Sequence, residues 1–167
     1  MEDTMRQLFV DELKDMFSAE QQIIKALPKA IKACESADLK EALQNHLEET
    51  REQADRLKEV FDMIDVTPTA KTCKAMEGLI KEVEEVIGEY KKSPTRDAAI
   101  ISKAQRVEHY EISAYGTLRT FAKELELDDA IDLFEKSLKE ESNADKKLTK
   151  IAEGGLLSAG INAKANR

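Results

Sequence analysis

Tryptophan is absent from this chain, and five phenylalanines and three tyrosines are its only large aromatic side chains, so any core must be aliphatic. Three prolines and six glycines in 167 residues are too few for the repeated tight turns of a β-sandwich or barrel. There are two cysteines, Cys34 and Cys73, with neither the spacing of a thiolate metal site nor the density of a disulfide framework. No apolar run approaches the roughly 20 residues that span a bilayer. The opening MEDTMRQLF lacks the basic start and apolar stretch of an export signal, so the thiols are expected reduced, in a cytoplasm. Basic residues are in deficit, 26 against 34 acidic, for a net charge of -8. That excludes nonspecific nucleic-acid binding, which needs a basic surface.

What remains is helix. Alanine, leucine, glutamate and lysine dominate, and each is a good helix former. Apolar residues recur at steps of three and four. The first helix is expected over residues 4–34, capped by Thr4 with Gln7 as a capping-box partner, and kinked near 24–28 by Pro28. Its inward stripe is Phe9, Leu13, Met16, Glu20, Ile23, Leu27. Ser36 caps a second helix, 37–64, with stripe Leu39, Leu43, His46, Glu49, Gln53, Leu57, Val60, Ile64. A third, 71–91, carries Ala75, Leu79, Val83, Val86 and Tyr90 and no acid. The fourth, 95–124, carries Ile101, Ala104, Glu108, Glu111, Tyr115, Leu118, Ala122. The fifth, 129–153, is capped by Asp128, carries Ile131, Phe134, Leu138, Glu141, Asp145, Leu148, Ala152, and stops at Gly154-Gly155. The joints near residues 35 and 126 are short enough to make antiparallel hairpins. The pattern predicts an all-α, four-helix bundle with a long crossover that contains an extra helix. Residues 1–153 form the domain, and 154–167 a short tail expected to pack loosely or fray.

Six acids occupy core positions: Glu20, Glu49, Glu108, Glu111, Glu141 and Asp145, joined by Gln53. A buried charge is costly unless something pairs it. Counting from the joints matches them in height. Glu20 lies 15 residues before residue 35 and Glu49 14 after it; Glu111 and Glu141 each lie 15 from residue 126. Glu108 and Asp145 match one turn further away. Ionised carboxylates cannot share a dry site unaided, so either protons or cations enter. Oxygen donors favour iron, manganese, magnesium or calcium over zinc and copper. The acid-free third helix shows that the placement is selective. His46, one turn before Glu49, is a second polar neighbour of the acids; a lone inward histidine reads more readily as a satisfied core residue than as a ligand. Gln53 could ligate through its oxygen or hydrogen-bond a carboxylate. Tyr115 reads as a hydrogen-bonding neighbour, and His109 and Tyr110 as structural.

The segments HLEETREQADRLKEVF (46–61), CKAMEGLIKE (73–82), DAAIISKAQRVEHYEISAYGTL (97–118) and LKEESNADKKLT (138–149) resemble the YciE/YciF family of ferritin-like bacterial stress proteins. The resemblance implies a ferritin-like bundle, a dinuclear metal centre, a homodimer and a role in stress. By position it makes Glu20 the first-helix carboxylate, Glu49 the second, Glu108 or Glu111 the next and Glu141 the last. One departure from the wider ferritin-like pattern is visible. A histidine three residues after a glutamate is usual on two helices, but Glu52 follows Glu49 and Ala144 follows Glu141 at that spacing. Two divalent ions are therefore expected, iron or manganese first, with magnesium and calcium open. The function expected is metal binding, with metal oxidation or peroxide handling by a di-iron or di-manganese oxidoreductase as its enzymatic form. The competing reading is a metal-free dimerisation or interaction module that keeps the bundle without the chemistry.

Overall fold

The structure, a computed structural model, describes residues 4–155 and 158–166. Helices α1 (Met5–Ala33) and α2 (Ala37–Met63) form the first hairpin, and α4 (Pro94–Glu124) and α5 (Asp128–Glu153) the second. α1 packs on α2 and α4 on α5, while α2 meets α5 and α1 meets α4 to close a four-helix bundle. α3 (Lys74–Glu89) lies in the crossover and packs mainly against α1 and α4. No described helix is long and apolar enough to cross a membrane.

The local signals act largely as their chemistry demands. Thr4 Oγ1 accepts from Gln7 N, and Ser36 Oγ accepts from Leu39 N, each quenching a free N–H of a first turn. The amide of Gln7 also donates from Nε2 to Asp11 Oδ1 at 3.2 Å. Pro28 sits inside α1 without ending it. α3 starts later than expected, at Lys74, because Cys73 is its cap and the preceding segment is tied to α1: Lys71 N donates to Lys14 O, and Cys73 N to Ser18 Oγ. Its buried edge is Met76 and Val86, while Ala75 and Tyr90 are exposed. Asp128 is not the cap of α5. Leu127 holds that position with no side-chain bond, and Asp128 and Asp129 instead place negative charge in the first turn.

The tail also departs from expectation. Gly154 ends α5 at φ 81°, and an antiparallel ribbon pairs Gly154 with Ala159 and Gly155 with Ser158. A Cβ on Gly154 would lie 2.3 Å from Gly160 N, so only glycine permits this backbone contact. The ribbon delivers α6 (Ile161–Ala165) onto α4 and α5, with Ile161 buried.

The core is aliphatic, centred on residues such as Leu13, Leu39, Leu57, Ile100 and Leu118, with Phe9, Phe61, Phe134 and Tyr115 among its largest members. Cys34 and Cys73 are both free and buried. Burial pushes the Cys34 thiol up to about 12 and raises that of Cys73, so neither is a ready thiolate.

Candidate metal centre

Midway along the bundle the aliphatic core gives way to charge. α1 contributes Glu20, α2 contributes His46 and Gln53, α4 contributes Glu108, Glu111 and Tyr115, and α5 contributes Glu141. All are buried; none of the four carboxylates is more than 2% exposed. His46, Glu108, Glu111 and Glu141 each turn one donor atom toward a common point, those atoms lying within 4.8 Å of one another. His46 Nε2 is 3.5 Å from Glu108 Oε1 and 3.9 Å from Glu111 Oε2.

The surrounding hydrogen bonds are few. Tyr115 Oη donates to Glu20 Oε1. Gln53 Nε2 donates to Glu141 Oε1 at 2.5 Å and to Glu140 Oε2 at 3.1 Å. Among the described residues, the buried side-chain polar atoms with no partner are Arg96 Nε and eight atoms of this cluster. The eight are Glu20 Oε2, both nitrogens of His46, Gln53 Oε1, Glu108 Oε2, both oxygens of Glu111 and Glu141 Oε2. Protein interiors rarely leave such atoms unpaired, and here eight belong to one cluster of side chains. Burial pushes the carboxyls of Glu20, Glu108 and Glu111 well above the usual carboxylate range, and the charge of Glu141 pushes each further. Tyr115 is likewise raised, by burial first and then by Glu20.

Two residues expected in the cluster stand at its edge. Glu49 has a side chain 42% exposed, with Oε2 4.0 Å from His46 Nδ1. Asp145 is 21% exposed and faces outward along α4, where Gln105 Nε2 donates to its Oδ1 at 3.0 Å and His109 Nε2 lies 3.4 Å away. The reason is angular. Successive residues turn about 100° around a helix, so Glu49 points about 60° away from His46. The buried arc of α2 runs through Leu39, Leu43, His46, Thr50, Gln53 and Leu57, leaving Glu49 on its margin.

His46 is the member that sequence reasoning left out. Its signal was its place on the stripe, two turns before Gln53, but its charged neighbours come from α4. Arg56 was also missed. This buried guanidinium donates to Ser137 Oγ at 2.9 Å and to both oxygens of Glu140 at 2.7 and 2.8 Å, tying α2 to α5 beside Gln53. A third unforeseen residue, Asp97, lies outside the cluster. Its carboxylate accepts from Glu35 N at 2.9 Å and Ser36 N at 2.7 Å, locking the first joint onto the start of α4.

The chain is 43% identical to protein YciF of Escherichia coli (strain K12) over 150 residues, which cover 89% of this chain and 90% of YciF. The crystal structure of that protein, described as an E. coli stress protein, superposes with a TM-score of 0.86 at 42% identity, covering 89% of this chain and 94% of the other. YcfI of Rhodopseudomonas palustris superposes with a TM-score of 0.87 at 45% identity, covering 90% and 96%. A Xanthomonas campestris protein, XCC3681, shares the fold at 16% identity, with a TM-score of 0.72 over 88% and 90% of the two chains. Residues 4–165 match the family model described as Domain of unknown function (DUF892), and the chain belongs to that family, as an all-α bundle of the YciF type.

Proposed function

We propose that this protein is a ferritin-like, carboxylate-rich bundle that binds two divalent metal ions, iron or manganese, and serves the stress response named for its relative YciF. The observation that carries this reading is that His46, Glu108, Glu111 and Glu141 bring one donor atom each within 4.8 Å of one another, in a buried cluster that holds eight side-chain polar atoms without a partner. Four glutamates, one imidazole and one amide form a donor set rich in oxygen, with no sulfur. Such a set fits iron(II) or manganese(II) and suits magnesium or calcium less, because of its nitrogen. Charge supports the number. Four ionised carboxylates need four positive charges, and Arg56 is already engaged by Glu140, so two divalent ions restore balance.

In this reading His46, Glu108, Glu111 and Glu141 hold metal, with Glu20 and Gln53 completing the site. Bound iron or manganese would supply one-electron redox chemistry, suited to metal oxidation or peroxide handling. The chain's own residues set the conditions. Tyr115 orients Glu20 by donating to one of its oxygens. Gln53 does the same for Glu141. Arg56 holds Glu140 against Ser137 and so keeps that carboxylate pinned at the edge of the cluster. The aliphatic residues above and below exclude water, which strengthens every electrostatic interaction inside. A homodimer belongs to the same reading.

Metal analysis after exposure to iron(II) or manganese(II) tests it. Two ions per chain are expected, lost in the double variant Glu111→Ala, Glu141→Ala. A folded wild-type chain that takes up neither metal would reject the proposal in favour of a metal-free interaction module.

A further inference from the structure

Among the described residues two openings reach His46 and Glu108, and their linings differ. One, a cavity of about 50 Å³, lies beneath α3 and is walled mostly by aliphatic side chains such as Ile23, Leu43, Val83 and Ile100, with the exposed Lys29–Glu84 ion pair in the same lining, before it meets His46 and Glu108. The other, of about 130 Å³, opens between α2 and α5. Asn45, Glu49, Asn143 and Lys147 line it, and His46 and Glu108 form its floor.

A hydrated divalent ion sheds water only as other oxygens replace it; in the α3 cavity the Glu84 carboxylate is already paired with the Lys29 ammonium, and the aliphatic wall beyond offers none. The α2/α5 cleft offers them in sequence: two amide side chains, then a carboxylate, then the cluster. Glu49 is the link. Its side chain is 42% exposed, against 2% for Glu108 and 0% for Glu111, yet its Oε2 lies 4.0 Å from His46 Nδ1. That nitrogen is buried and has no partner of its own. Glu49 thus faces water on one side and, 4.0 Å away on the other, an unpaired nitrogen of His46. Lys147, on the same lining, acts on the Glu49 carboxylate with opposing charge.

We propose that the cleft between α2 and α5 is the port by which divalent cations enter the cluster, with Glu49 as the carboxylate that hands them inward and not a resident ligand. Lys147 is a brake on that port, because an ammonium at the mouth repels an incoming cation and competes for Glu49. The inference rests on the metal-binding reading above and adds to it a route and a role for a residue outside the buried set.

Cobalt(II) uptake by the full chain, followed by stopped-flow visible absorption, separates route from site. Glu49→Gln, which keeps shape and removes charge, is expected to slow uptake about tenfold and leave the final cobalt per chain unchanged. Lys147→Gln is expected to quicken uptake by about two- to fivefold, also without changing the final amount. Ala104→Val, which fills the apolar cavity, should load at the wild-type rate. A lower final ratio in Glu49→Gln would make Glu49 a resident ligand and overturn the proposal. Wild-type uptake rates in Glu49→Gln, or slow uptake in Ala104→Val, would place the port elsewhere. If the folded wild type binds no cobalt, iron or manganese, the metal reading itself falls and the port falls with it. Circular dichroism melts of each variant show whether a changed rate reflects a changed fold.

Discussion

Glu111 states the conflict most sharply. It is fully buried, and neither carboxylate oxygen has a hydrogen-bond partner. Glu20 is better placed, since Tyr115 donates to it. Without metal, Glu111 is a cost; in the proposed metal-bound form it would be an anchor. Glu111→Leu is therefore expected to stabilise the chelator-treated protein by about 1–4 kcal/mol, since a well-packed apolar side chain often outperforms a buried charge. For a chain of this size each kcal/mol corresponds to about 2–4 °C in Tm. On the metal-binding proposal iron(II) or manganese(II) is expected to raise the wild-type Tm, and the same substitution should erase that rise, so thermal melts with and without metal check both signs. At this scale the sequence was informative about Glu20, Gln53, Glu108, Glu111 and Glu141, which all sit where the stripes put them, inside. It was silent on which of two neighbouring positions faces the cluster. His46 and Glu49 belong to the same stripe when steps of three and four are both accepted. Only the packed helix distinguishes the middle of the buried arc from its margin.

Among the elements, the two hairpins explain why acids from distant parts of the chain meet. Equal counts from each joint put Glu20 level with the middle of α2 and Glu111 level with Glu141, and docking the hairpins brings both levels together. That docking has its own fastener. Asp97, at the start of α4, accepts the Glu35 and Ser36 N–H groups of the first joint. Asp97→Ala leaves those donors without their acceptor and is expected to cost about 2–3 kcal/mol, as charged hydrogen bonds do. Asp97→Asn, which keeps one acceptor oxygen, should cost less. Urea unfolding midpoints rank the two; equal stability of Asp97→Ala and wild type would show that the clamp contributes nothing. Neither this clamp nor α6 was legible in the sequence. Asp97 reads as an ordinary acidic residue of a first turn. The tail carries little apolar area, and its ordering depends on a Gly154–Gly160 backbone contact that composition does not announce.

For the molecule as a whole, the buried carboxylates couple stability to pH. Glu20, Glu108 and Glu111 hold protons in the folded state well above their ordinary value of 4.5, at which the unfolded chain releases them. Between those limits the folded form binds more protons than the unfolded form. Stability from these groups is thus complete below 4.5 and is lost as pH rises through their folded-state values. The chelator-treated protein should therefore melt at falling temperature as pH rises above 4.5 and through those folded-state values. Metal should remove or reverse that slope, because a cation displaces the same protons and binds better as they leave. Calorimetry in two buffers of different ionisation enthalpy would detect the release. A metal-loaded protein that takes up no more metal at high pH than at low pH would contradict the assignment of these carboxylates as ligands.

The sequence by itself determined the helices, their order, the hairpin–crossover–hairpin layout and the presence of acids on inward stripes. Each of these is local: a propensity, a cap, a period or a count from a turn. The tertiary structure alone decided that His46 stands with Glu108, Glu111 and Glu141, that Glu49 sits at a mouth, and that Asp145 faces Gln105 and His109. The physical reason is that a periodic pattern specifies which face of a helix is buried, but the partner of a buried charge lies on another helix. Its identity depends on helix rotation and height to within one residue, and those are settled only when four packed helices fix them together.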